Sequence, residues 1–174
     1  LTALEQSSDE VLVVSHSMGA SLALAVIGRV LELKPEALDG RKLSFATLGG
    51  AALQCAFLSS AVRLRQSIGV IARHPQVTWF DIQCLTDPIH LYRCNTVALT
   101  GHGDAPQAKI VPIRFKHSLS PERYKKNKRN FLRMHRQYVL GPDRRSGYDF
   151  TLLTAGPLPA ASFADLESQT PTAL

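Results

Sequence analysis

Short β-branched runs alternate with longer stretches of helical period through the first half of the chain. Residues 11–14, Val-Leu-Val-Val, have the length and composition of a buried strand. They run through Ser15-His16-Ser17-Met18-Gly19 into an apolar stretch that reaches Lys34 and is stopped by Pro35. That pattern predicts a strand, a tight turn and a largely buried helix. Residues 42–48 predict a second strand ending in Gly49-Gly50. Ser59 or Ser60 is expected to cap a helix carrying Leu64, Ile68, Ile71 and Ala72 on one face and ending near His74-Pro75. Residues 77–84 predict a third strand, followed by Thr86-Asp87-Pro88. The expected fold class is therefore α/β, with a mainly parallel sheet flanked by helices.

The second half is less regular. Residues 89–113 hold Gly101, Gly103, Pro106 and Pro112 and no sustained period, which predicts a long, partly ordered excursion. A single basic helix is expected over residues 121–140, ended by Gly141-Pro142, and a last strand over residues 148–154. From Pro157 the composition shifts to Ala, Ser, Thr and Pro. The expected organisation is one domain over residues 1–156 and a loose tail over 157–174. The chain starts at Leu1 and reaches its first strand within a dozen residues, so it reads as part of a longer protein.

The chemistry concentrates at residues 15–19. A nucleophile on a sharp strand-to-helix turn needs small residues two before and two after it, and Ser15 and Gly19 satisfy that around Ser17. The Met18 N–H, at the helix start, would face a developing oxyanion. The plain structural alternative makes Ser17 a helix N-cap.

The segment from Ser15 to Pro88 resembles the α/β-hydrolases, and within them the class 3 lipase branch. There an elbow helix is followed by a strand ending in a Gly-containing turn, a helix, and a strand ending in Asp-Pro; residues 43–50 and 77–88 match in order and spacing. Pro121-Glu-Arg-Tyr124, His135-Arg-Gln-Tyr138 and Tyr148-Asp-Phe150 are similar to stretches of bacterial hydrolase-like proteins of ill-defined substrate. The resemblance implies the C-terminal half of a hydrolase domain, its N-terminal strands outside this chain. S-x-S-x-G departs from the usual G-x-S-x-G at its first small residue.

A serine nucleophile needs a histidine base oriented by a carboxylate. Asp87 follows the third strand, at the sheet edge where Ser17 is also expected. Asp81, mid-strand and with no evident partner, and Asp104, in a Gly-flanked loop, are the other candidates. For the base, His16 would leave the elbow on the wrong side of Ser17, His74 ends a helix, and His90 and His102 belong to the excursion. His135 and His117 remain, and both follow Asp87 in the chain. Tyr124, Phe131, His135 and Tyr138 form one stripe of the expected helix, which turns His135 inward; a loop position after a strand favours His117.

Composition adds limits. Hydrophobic residues make up 45% and charged residues 20%, as in ordinary globular chains. Three cysteines without CxxC spacing suggest neither a disulfide framework nor a metal site, and no metal or organic cofactor is expected. They point to a reducing, cytoplasmic setting. The net charge of +6 is concentrated, with nine Lys or Arg against the lone Glu122 between Arg114 and Arg136. The stretch from Arg123 to Arg136 could meet an anionic membrane surface; no nucleic-acid-binding motif accompanies it. The expected function is a serine esterase or lipase-like hydrolase with Ser17, Asp87 and His135 (alternatively His117) as triad, acting on a small-molecule or lipid ester. The rival is a non-catalytic domain of the same fold that binds a partner or membrane surface.

Overall fold

The computed structural model describes residues 10–166. Four strands, β1 (Glu10–His16), β2 (Lys42–Leu48), β3 (Val77–Cys84) and β4 (Lys109–Ile113), form one all-parallel sheet in the order of the chain. All carboxyl ends therefore lie along one edge. The α/β class and the parallel sheet expected from the sequence are observed.

Because side chains alternate across a strand, the sheet has two packed faces. On one, Leu43, Phe45 and Trp79 meet Leu24, Ile27 and Leu31 of α1 (Gly19–Leu33), Ile68 and Ile71 of α3 (Val62–Arg73), and the short α2 (Ala52–Ala56). Buried Gly28 lets α1 and α3 approach closely, since a Cβ there would lie 2.3 Å from Ser67 Cβ. On the other face, Ala46, Leu48, Phe80 and Ile82 meet Phe115, Met134, Tyr138, Tyr148, Leu153 and Phe163. These come from α5 (Phe115–Ser118), α7 (Phe131–Arg136), α8 (Phe150–Ala155), the loop before α8 that carries Tyr148, and two 3-10 turns, Gln137–Val139 and Ala160–Asp165.

Several expectations need correction. The helix after Ser59-Ser60 begins at Val62 without a side-chain cap, although Leu64, Ile68 and Ile71 do face inward. The excursion over residues 89–113 contains α4 (Thr96–Leu99), capped by Asn95, and strand β4. The single basic helix is two helices, α6 (Pro121–Asn127) and α7, because the Asn130 side chain accepts from Arg133 N–H and starts a new helix. The break disrupts the aromatic stripe, leaving Phe131 57% exposed while His135 and Tyr138 are buried. Residues 148–154 are no strand: Asp149 accepts from Thr151 and Leu152 N–H and opens α8. The tail expected to be loose from residue 157 packs as far as its 3-10 turn, burying Ala160, Phe163 and Ala164; residues 167–174 of it lie outside the described residues. Among the described residues, no helix is long and apolar enough to cross a membrane.

Candidate active site

Ser17 links β1 to α1 at φ 57°, a left-handed conformation that residues with a Cβ rarely adopt. Its backbone is held on both sides: Ser17 N–H donates to Leu48 O at 3.2 Å, and Ser17 O accepts from Ala20 N–H and Ala51 N–H at 3.1 and 3.0 Å. The turn is thus tied to the end of β2. Met18 is exposed and precedes the helix, and its N–H joins none of the backbone hydrogen bonds of the turn. Helix-start N–H groups lack intrahelical acceptors and favour negative charge. Ser17 occupies a turn, and the side-chain N-cap alternative is not seen, since no side-chain cap bond is made at this helix.

Asp87 follows β3 and is 2% exposed. Its Oδ2 accepts from His135 Nδ1 at 2.8 Å, and its Oδ1 accepts from Ile89 N–H at 3.0 Å. Burial alone would raise this carboxyl, but contacts with His90, His135 and the Ile89 N–H outweigh it and hold the group below its usual range. With Nδ1–H directed at the carboxylate, His135 presents Nε2 as the free nitrogen. That atom is buried and has no hydrogen-bond partner, so Ser17 Oγ does not bond it in this conformation. Position 49 must be glycine on two counts. Its φ is +51°, and a Cβ there would lie 2.4 Å from the Tyr138 ring and 2.8 Å from Asp87 Oδ2. Tyr138, fully buried, accepts from Cys84 N–H through its hydroxyl at 2.8 Å and so holds the chain just after His135 against the end of β3.

The other candidates sit elsewhere. Asp81 has the partners the sequence did not suggest: it accepts from Thr47 Oγ1 and Gln83 Nε2, both at 2.7 Å. Burial raises its carboxyl despite those bonds. Asp104 is exposed and pairs with Arg73 at 2.7 Å. His117 lines a cleft beside Lys116 and hydrogen-bonds neither Ser17 nor Asp87. His102 Nε2–H donates to Arg65 O at 2.8 Å and its Nδ1 accepts from the Arg73 guanidinium at 3.3 Å, and His74 reaches Pro35 O.

Two histidines set aside from sequence lie at this site. The His16 ring does not turn away: its centroid is 4.5 Å from that of His135, and its Nε2–H donates to His135 O at 2.9 Å. Burial lowers its pKa. His90, buried, places Nδ1 3.2 Å from Asp87 Oδ2, without hydrogen-bond geometry at either nitrogen. Its position three residues after Asp87 was the available signal. Of the six buried side-chain atoms left without partners among the described residues, five belong to Ser15, Ser21, His90 and His135, around the carboxyl edge. Buried polar atoms gathered at one edge are costly to a fold unless something pairs with them. No group of three metal-ligating side chains occurs among the described residues. Clefts of about 600 Å³ open elsewhere among the described residues, one beside β4 and one beside the start of β2, and Ser17, Asp87 and His135 line neither of these.

This arrangement defines a class: a parallel α/β domain with a hydroxyl on a left-handed strand-to-helix turn and a buried carboxylate–imidazole pair at the same sheet edge. Searches against protein families, curated proteins and solved structures found no match for the chain.

Proposed function

We propose that the protein is a serine hydrolase of the α/β-hydrolase type, close to the class 3 lipase branch, acting on carboxylic esters through an acyl-enzyme. The observation that carries the reading is the bond between His135 Nδ1–H and Asp87, residues far apart in the chain, with Nε2 left unpaired. In this mechanism His135 Nε2 takes the Ser17 proton as Oγ attacks the ester carbonyl, and Asp87 holds the tautomer and faces the imidazolium. Met18 N–H donates to the oxyanion. His135 returns the proton to the leaving alcohol, and water then cleaves the acyl-enzyme by the same steps. The chain order serine, acid, histidine is that of the hydrolase nucleophile elbow. Hydrogen bonds to the nucleophile commonly tighten only when substrate binds, which accounts for the open Ser17–His135 pair.

The substrate side is a small-molecule or lipid ester. Phe131 and Leu132 stand exposed among Lys128, Arg129, Arg133 and Arg136, a combination suited to an anionic membrane surface, where lipid esters occur.

A non-catalytic domain is the second reading, favoured by the missing hydrogen bond between Ser17 Oγ and His135 Nε2. One experiment separates them. In the full-length protein a fluorophosphonate probe should label Ser17, and Ser17→Ala and His135→Ala should each lower ester turnover by several orders of magnitude, since triad members act as a unit. Failure of the folded wild type to label would leave the non-catalytic domain standing.

A further inference from the structure

A second site lies beyond Tyr138 from the Asp87–His135 pair. A cleft of about 620 Å³ opens between the end of β4, α5 and the 144–148 loop. Among the described residues its lining includes Arg93, Arg114, Lys116, Arg144 and Arg145, with His117, and no carboxylate. None of those five cations forms an ion pair with a described carboxylate, whereas Arg29, Arg73, Lys109 and Arg123 each do. All five are solvent-exposed, so their mutual repulsion is screened, and together they make the cleft positive. The His117 imidazole registers it: burial lowers its pKa first, and the Lys116 and Arg114 charges lower it further.

The cations come from separate segments whose backbones are fixed. Arg93 stands at φ 59°, and its N–H donates to Oε1 of buried Gln83 at 2.6 Å, while Gln83 Nε2 is held by Asp81. A left-handed residue with a side chain persists only where its surroundings impose it. Asp143 and Arg144 N–H both donate to Ser118 O, at 2.8 and 3.1 Å, which ties the 144–148 loop to α5. Beneath it, Tyr148 OH donates to Tyr138 O at 2.6 Å. The backbone part of the ordering cost is therefore met in the free protein, and only the exposed side-chain heads remain to be ordered on binding.

We infer that this cleft binds a small molecule carrying two or more phosphate groups. Guanidinium forks match phosphate oxygens in pairs. One phosphate monoester carries a charge of about −1.5 to −2 at neutral pH, so five cations match two phosphoryl groups rather than one. The volume falls in the range of small-molecule sites, roughly 300–1,000 Å³, and Tyr92 and Ile113 supply a wall for the non-phosphate part. This inference does not rest on the hydrolase reading, since the cleft shares no residue with Ser17, Asp87 and His135.

Calorimetric titration of the full-length protein with sodium pyrophosphate at low salt tests it, with inorganic phosphate as a parallel arm. Pyrophosphate is expected to bind at least tenfold more tightly than phosphate. The double variant Arg144→Gln/Arg145→Gln should weaken it at least tenfold with unchanged circular dichroism, and Lys34→Gln/Arg63→Gln, exposed positions outside the cleft, less than twofold. A third arm uses phosphatidylcholine vesicles with and without phosphatidylinositol bisphosphate. Pyrophosphate failing to bind, or both double variants weakening it equally, would overturn the inference. So would vesicle binding through Arg144 and Arg145 without binding of free pyrophosphate, which would assign the cleft to a lipid headgroup.

Discussion

The two faces of the sheet are built by different means. One is covered by α1 and α3, of 15 and 12 residues, whose aliphatic side chains repeat at helical spacing. The other is covered by helices of four to seven residues and two 3-10 turns, and its core includes buried Tyr138 and Tyr148, whose hydroxyls bond backbone groups. The first face is held by non-directional packing. The second adds to its own apolar core the directional hydrogen bonds of Tyr138 and Tyr148 to backbone groups, and it is the face that delivers His135. A long regular helix presents its side chains only in fixed rows, whereas short pieces can turn a single imidazole towards a chosen carboxylate.

The largest expected effect breaks the helical face. Leu24, fully buried, should cost about 2–5 kcal/mol when replaced by Ala, read as a shift in the urea midpoint. On the other face Tyr138→Phe keeps the ring but leaves the buried Cys84 N–H unpaired, at about 1–3 kcal/mol. A Tyr138→Phe loss exceeding that of Leu24→Ala would reverse the comparison. Smaller again is Asp149→Ala, which removes the cap of α8 and should cost about 1 kcal/mol by the same measurement; no loss would mean that α8 is held by packing alone.

The smallest effect is in pH. Asp87 is held below its ordinary value of 3.8, so its stabilisation is fully present above that pH and is lost as pH falls through the lower folded value. The stability gap between the wild type and Asp87→Asn, followed by urea unfolding, should therefore be widest near neutral pH and narrow on acidification below about pH 4. A gap that widened on acidification would contradict the Asp87 environment described.

The helical face was legible in the sequence because period and strand composition are local. Residues 11–14, 42–48 and 77–84 lie in strands, and α1 ends at Leu33, just before Lys34 and Pro35. The other face was not, because side-chain caps override composition there. Tyr148 to Thr154 is rich in aromatic and β-branched residues, yet Asp149 opens a helix. Asn130 divides the basic segment, so a stripe drawn through Phe131 could not be continuous. His135 is buried and bonded to Asp87, but chain order admitted His117 equally, and the stripe that favoured His135 assumed a single helix that is not formed. The positions of His16 and His90 were not legible, since they depend on how the carboxyl edge closes around Asp87.

The left-handed turn at Ser17 has a consequence for how this sequence can drift. Glycine would occupy φ 57° without the Cβ penalty, on the order of 1–2 kcal/mol for a residue with a side chain. Mutation towards glycine at position 17 is thus downhill for the backbone, while a β-branched residue there is steeply uphill. Selection for stability alone would therefore favour glycine over serine at this position.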